Sequence, residues 1–362
     1  MNRPTHGGNL RWAAEIAQCA PNDLLDFSAS ISPLGPPRSV REAVRAAFSS
    51  VMAYPDPDYV AIREIIGQHH NLPIEYVFLG NGAAELLNWA ARDLATLDEV
   101  FYLSPGFSDY QRALKAFGCV PSPISLFNRS SSYQSDWETQ LESKLGSSRQ
   151  GLLLNNPHNP TGQLFSRSRV QLCRSQLNLL VVDEAFMDFL PEARSQSAIP
   201  SADDFSSNLV IIRSLTKFYS IPGIRLGYAI AHPDRLKQWQ QWRDPWSVNN
   251  LAVAAGIAGL QDVEFQQRSW NWLDEERPFL FKALSNIEAL EPMEGSVNFL
   301  LIKCKVSTTA LQRKLLQQHK VYIRDCMSFE DLGDRFFRVA VKTREDNQRL
   351  IDALTDVLAD ME

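Results

Sequence analysis

The sequence predicts an α/β fold: a mostly parallel sheet in a large domain, followed by a smaller α+β domain. Three observations carry this. First, five short apolar runs, at 76–79, 99–103, 151–154, 179–182 and 209–212, recur between helix-patterned stretches. Each run is long enough for a strand and too short for a helix. Strands that are apolar on both faces belong to a sheet covered by helices on each side. Second, the polar residues suited to chemistry follow directly on these runs, where open α/β sheets bind ligands. Third, the pattern changes near Pro245. Long helices (246–260, 266–284) give way to strands (297–302, 322–324, 336–341) interleaved with helices (311–316, 345–359).

In chain order, residues 1–35 form an arm with Gly/Pro punctuation, expected to pack with the small domain. The large domain spans 36–244 and the small one 245–362. A helical pattern over 39–48 precedes the turn-rich Tyr54-Pro-Asp-Pro-Asp-Tyr59, and a helix runs through Ile62, Ile65 and Ile66. The 76–79 strand leads into Gly80-Asn-Gly-Ala-Ala-Glu85 and a helix through Leu86, Leu87 and Trp89. The 99–103 strand leads into Ser104-Pro-Gly-Phe-Ser108. The 151–154 strand leads into Asn155-Asn-Pro-His-Asn-Pro-Thr-Gly162, and the 179–182 strand into Asp183-Glu-Ala-Phe186. Ser130–Ser132 reads as a surface loop.

The 362 residues carry a net charge of −6, which argues against a general nucleic-acid binder. Five scattered cysteines with no C-x-x-C pair argue against a disulfide framework or a zinc site, and fit a reducing cytoplasm. The first residues hold no apolar h-region, so no signal peptide is expected. No apolar run approaches the ~18 residues of a membrane span.

The organising stretch follows the 209–212 strand: Arg213-Ser-Leu-Thr-Lys-Phe-Tyr-Ser-Ile-Pro-Gly-Ile-Arg-Leu-Gly-Tyr228. The amine of Lys217 can form a Schiff base with an aldehyde. Ser214, Thr216 and Arg225 can hold that aldehyde's phosphate. Pyridoxal phosphate (PLP) is the cofactor that fits. Taken alone, a lysine in a loop is far more often a solvated surface charge. Asp183 suits either the pyridine nitrogen of PLP or the N-cap of a helix. The Gly80–Glu85 junction, with Gly82 and Ala83, is a phosphate seat or a plain tight turn. Asn159 is aimed at a ring hydroxyl or belongs to a simple Asn-Pro turn. Phe107 stacks on a ring or lies in the core. Arg324 and Arg338 suit carboxylate and phosphate, or pair with Asp325 and Asp334. His6-Gly-Gly-Asn9 reads as a tail.

Asn159-Pro-Thr-Gly162, Asp183-Glu-Ala, and Ser214-Leu-Thr-Lys217 with Gly223-Ile-Arg-Leu-Gly227-Tyr together resemble the PLP-dependent aminotransferases of the aspartate aminotransferase fold, over essentially the whole chain. Within that family the resemblance is greatest to the branch that decarboxylates threonine phosphate in cobalamin biosynthesis, with histidinol-phosphate aminotransferases as near relatives. It is carried by His6-Gly-Gly-Asn-Leu-Arg11, by Arg213–Gly223 and by Pro245-Trp-Ser-Val-Asn-Asn-Leu251.

The resemblance implies roles. Lys217 is the lysine that bonds PLP, Asp183 meets the pyridine nitrogen and Asn159 the ring hydroxyl. Phe107 stacks on the ring, while Ala83, Ser214, Thr216 and Arg225 surround the phosphate. Tyr54 comes from the second subunit of a homodimer. Arg338 takes the substrate carboxylate, and His6 and Arg324 approach the substrate phosphate. Two departures stand out. Ser30 and Ser32 replace asparagines usual in these relatives, and the second of these positions contributes near the substrate. Phe186 stands where aminotransferases usually carry tyrosine, which removes a hydroxyl near the ring. The expected activity is decarboxylation of phospho-threonine to aminopropanol phosphate. The alternatives are transamination of the histidinol-phosphate kind and an inert PLP-binding regulator.

Overall fold

Seven strands build the main sheet of the computed structural model, which describes residues 3–127, 133 and 136–361. Ser130–Ser132 lies outside the described residues. The spatial order is Val77–Gly80, Gly227–Ala231, Leu209–Ser214, Leu179–Asp183, Gln150–Asn155, Glu99–Ser104, Ser122–Ser125. All five expected strands are present, and two were not foreseen. Gly227–Ala231 runs antiparallel to both its neighbours, whereas the remaining pairs are parallel. Its geometry follows from its short connection: residues 215–226 return the chain beside Leu209–Ser214 without the helical crossover a parallel neighbour needs. Ser122–Ser125 contains Pro123, which lacks a donor and is confined to an edge such as this one.

Alternation along the strands buries two cores, one on each face. Leu153, Val181, Val210 and Ile212 meet Leu86, Ala90 and Leu94 of the helix Ala83–Leu94 and Trp239 of Pro233–Trp242. Leu152, Val182 and Ile211 point to the other face. The helix Asn250–Gln261 begins four residues later than expected, because Asn249 caps it by accepting from Ala252 N at 2.8 Å. It lies beyond residue 245 yet packs on Arg38–Ala46 and Val60–His70. The following helix, Val263–Ser285, reaches the small domain and packs on the strand Leu290–Pro292 and the helix Arg344–Ala359.

The small domain has an antiparallel sheet ordered Arg324–Asp325, Phe336–Ala340, Phe299–Cys304, Leu290–Pro292. The expected 322–324 strand is divided. Val321–Tyr322 pairs in parallel with Leu25–Asp26 of the arm, and Arg324–Asp325 joins the antiparallel sheet. The arm is stitched on further by its helix Leu10–Ala17 against Thr308–His319, and by Ala340 N donating to Phe27 O at 2.9 Å.

Candidate active site

Lys217 leaves the end of Leu209–Ser214 with its backbone pinned. Ser32 N donates to its carbonyl at 3.0 Å, and the Ser220 hydroxyl donates to Ser32 O at 2.7 Å. The Lys217 Nζ stands 4.7 Å from the centre of the Phe186 ring. Burial lowers its pKa. Asp183 opposes that shift, and Arg338 and Arg225 add to it. An amine poised toward its neutral form is a nucleophile, which a solvated surface lysine is not.

Asp183 ends the strand Leu179–Asp183 and caps no α-helix; the next helical turn is the short Met187–Phe189. Its Oδ1 accepts from Ala185 N at 3.0 Å and its Oδ2 from the Tyr110 hydroxyl at 2.7 Å. Burial raises its pKa, while the Lys217 ammonium and these donors oppose the rise. Asn155 completes the frame: its side-chain nitrogen donates to Asp183 O at 2.7 Å, and its Oδ1 accepts from Asn159 N at 2.6 Å. Sequence reasoning missed both Tyr110 and Asn155. Tyr110 sits in a helix beside Ala113 and Leu114 and looks like plain core. Asn155 was readable only as the first residue of the Asn-Asn-Pro loop.

A cradle for a phosphate lies on the other side of Lys217. Gly82, at φ +77°, opens the helix Ala83–Leu94. A Cβ at Gly82 would stand 2.4 Å from Arg225 Nη2, and one at Gly227 would stand 2.7 Å from Ala83 N. Only glycine allows this approach. Arg225 itself holds φ +62°, a left-handed conformation unusual for a non-glycine residue. The Ser214 and Thr216 hydroxyls lie 2.7 Å apart. Ala83, Ser214, Thr216 and Arg225 line one cavity with Ala84 and Lys217, so a helix N-terminus, a guanidinium and two hydroxyls converge there.

A second cavity adjoins the first and shares Lys217, Asp183, Phe107 and His6 with it. Arg338 and Arg324 form its far wall, opposite one another on paired strands. Arg338 donates to Asn159 Oδ1 and, at 3.3 Å, to Ser28 O, and lies 4.8 Å over the Phe299 ring. Its Nε has no hydrogen-bond partner among the described residues. Burial first, and then the Arg324 charge, push its pKa down to about 10. Arg324 donates to Thr5 O, Pro4 O and Ser328 Oγ. The carboxylates that sequence offered as alternative partners are engaged elsewhere. Asp325 pairs with Arg3 at 3.0 Å, and Asp334 accepts from Ser307, Thr308 and Thr309. Among the described residues, neither guanidinium has a carboxylate partner.

His6 does not behave as a tail. Its ring lies 5.5 Å from that of Phe107 and its Nε2 3.6 Å from Asp109 Oδ1. Two expected residues are not brought into this chain's cavities. Ser32 is buried with its hydroxyl unpartnered, and Ser30 lines the second cavity in its place. The backbone of Ser32 is spent on Lys217, which turns its side chain away. Tyr54 is 78% exposed and stacks on Trp246 at 4.5 Å, away from both cavities.

The paired cavities fit PLP: a cradle for its phosphate, a carboxylate at Asp183 for its pyridine nitrogen, and a desolvated amine between them. The comparisons agree. The family profile described as Aminotransferase class I and II matches residues 22–354. The chain is 38% identical to a threonine-phosphate decarboxylase of Salmonella typhimurium, covering 98% of this chain and 96% of that protein. It is 32% identical to a histidinol-phosphate aminotransferase of Symbiobacterium thermophilum, covering 94% and 92%. The structure of a histidinol-phosphate aminotransferase from Sinorhizobium meliloti, in complex with pyridoxal-5'-phosphate, superposes with a TM-score of 0.85 over 98% of this chain and 95% of that one, at 20% identity. The chain belongs to the class I and II aminotransferase family of PLP-dependent enzymes.

Proposed function

We propose that this enzyme decarboxylates L-threonine O-3-phosphate to (R)-1-amino-2-propanol O-2-phosphate in cobalamin biosynthesis. The observation that carries the reading is the pair Arg324 and Arg338: two buried guanidiniums, side by side on one wall, neither ion-paired among the described residues. A buried charge without a partner is costly, so these positions favour a ligand that brings two anions of its own. Phospho-threonine carries a carboxylate and a phosphate. Histidinol phosphate has no carboxylate and would leave Arg338 unmatched.

In this reading Lys217 carries PLP, Asp183 meets its pyridine nitrogen, Asn159 its ring hydroxyl, and Phe107 its ring face. Gly82, Ala83, Ser214, Thr216 and Arg225 hold its phosphate. When bound, PLP supplies the sink for the electron pair left at Cα as carbon dioxide departs. Arg338 orients the carboxylate, Arg324 and His6 hold the substrate phosphate, and Lys217, once released and carrying a proton as its ammonium, would return that proton to Cα. Incubating the purified enzyme with phospho-threonine and no keto acid is expected to release carbon dioxide in step with amine. Stoichiometric amino transfer to 2-oxoglutarate without carbon dioxide would instead establish the aminotransferase reading.

The enzyme acts as a homodimer whose sites are shared. Phe48, Val51, Met52, Tyr54 and Trp246 are large, exposed and apolar, which supports burial against a second copy. Five unpaired cysteines support a reducing, cytoplasmic setting. Mixing an inactive Tyr54 variant with an inactive Lys217→Ala variant is expected to restore activity through hybrid dimers. No recovery despite measured subunit exchange would show that each site is built from one chain.

A further inference from the structure

The loop after Arg324 ties the small domain to the large sheet. Glu330 accepts from the Tyr102 hydroxyl and, at 2.8 Å, from Gln111 Nε2. Asp331 accepts from the hydroxyls of Ser104 at 2.7 Å and Ser125 at 3.0 Å. Tyr102 and Ser104 are buried residues of the strand Glu99–Ser104, and Ser125 ends its edge neighbour. Phe329 and Leu332 flank the two acids and are buried. The loop is thus nailed down at two adjacent carboxylates, both resting on large-domain groups rather than on its own domain.

Between this anchor and Arg324 stands Ser328. Its Oγ accepts from Arg324 Nη2 at 2.5 Å and donates to Thr5 O at 3.1 Å. Phe329, next in the chain, lies 5.6 Å from the Arg324 guanidinium and lines the second cavity. Arg338, in register with Arg324 on the adjoining strand, is held instead by Asn159 and Ser28. The loop therefore supports one of the two guanidiniums and leaves the other to different partners. Asp331 and Gly333 both hold positive φ, +72° and +60°, and the loop's own turns are closed by Phe329 N donating to Cys326 O at 3.0 Å and Leu332 N to Phe329 O at 3.4 Å.

We propose that Glu330 and Asp331 are positioning residues for substrate selection: by fixing residues 326–332 on the large sheet, they aim Arg324 at the substrate's phosphate while the grip of Arg338 on the carboxylate stays independent. The proposal rests on the phosphorylated-substrate reading above. Its physical basis is preorganisation. A long guanidinium side chain binds an anion well only when its direction is set beforehand, and here Ser328 sets it together with the carbonyls of Thr5 and Pro4.

The test is a binding titration of the holoenzyme, followed by cofactor absorbance, with phosphoethanolamine and ethanolamine. These amines differ only by the phosphate and have no carboxylate to lose. Wild type is expected to prefer the phosphorylated amine. Glu330→Gln combined with Asp331→Asn is expected to lose about tenfold of that preference, with ethanolamine binding unchanged. Tyr102→Phe attacks the same contact from the large domain and shifts the preference the same way. Adding Glu330→Gln to it gives less than the sum of the two separate effects, because only the Gln111 contact remains to be lost. A doubly substituted enzyme that keeps the wild-type preference, or strictly additive effects of Tyr102→Phe and Glu330→Gln, overturns the loop's role and leaves the phosphate reading standing. A wild type with no preference overturns both.

Discussion

Lys217→Ala is expected to abolish labelling by borohydride and to cost turnover at least about 10²–10⁴-fold, the range that general acid–base groups supply. In wild type, reduction should trap a pyridoxyl group on Lys217 alone. Label on another lysine would refute the assignment. The same residue makes a pH prediction for the apoprotein. Burial holds the folded pKa below the ordinary 10.5. Below the folded pKa the protein bears the full cost of enclosing an ammonium. Between the two values the unfolded chain binds the extra proton, so stability rises with pH, and above 10.5 the cost is gone. Lys217→Met escapes this cost at every pH. Its stability advantage over wild-type apoprotein should therefore shrink as pH rises toward 10.5. Thermal unfolding across that range measures it, and a constant difference would mean the amine is not desolvated.

Arg338→Ala is expected to weaken phospho-threonine by about ten- to a hundredfold, the ~1.5–3 kcal/mol of a charge-assisted hydrogen bond, while sparing amines that lack a carboxylate. Arg324→Ala should instead reduce discrimination between phospho-threonine and threonine. Steady-state kinetics with the three ligands separates the two outcomes. Equal losses for all ligands would mean that Arg338 acts on the fold rather than on the carboxylate. A stability effect accompanies the loss. Enclosure first, and then the Arg324 charge, push this guanidinium below its ordinary range, down to about 10, so the folded protein bears a cost for holding it charged. That cost is present in full below about pH 10 and fades only as the pH rises toward the ordinary guanidinium range. Arg338→Met, which keeps much of the packing on Phe299, should therefore unfold no earlier than wild type at neutral pH while binding substrate poorly.

Much of this site was legible because its residues sit where chain pattern and chemistry coincide. Lys217, Asp183 and Asn159 each follow an apolar run, and the strand ends that place them need no long-range information to be recognised. Gly82 and Gly227 were visible as glycines, but their reason was not: the crowding of Arg225 and Ala83 is a contact between segments about 140 residues apart in sequence. The strand Gly227–Ala231 was hidden by the turn signals of Pro222 and Gly223 and by its own small residues. Tyr110 was hidden because a helix face that binds Asp183 has the same apolar spacing as one that only packs. For Arg324 and Arg338 the sequence left ion pairing open, since Asp325 and Asp334 are near in sequence. Only the fold shows that Arg3 and the hydroxyls of 307–309 claim those carboxylates first. For Ser32, only the fold shows that its backbone is held by Lys217 and Ser220 while its side chain lies outside both cavities.

The strapped arm has a practical consequence for anyone producing the protein. His6 lines both cavities, and Gly7 is so tightly seated that a Cβ there would stand 2.2 Å from Ser28 O. A purification handle placed ahead of Arg3 is tethered within about 20 Å of His6, close to the cavities that His6 lines. The helix Arg344–Ala359 contributes nothing to either cavity, and its far end is the place from which a handle can be displayed without touching the chemistry.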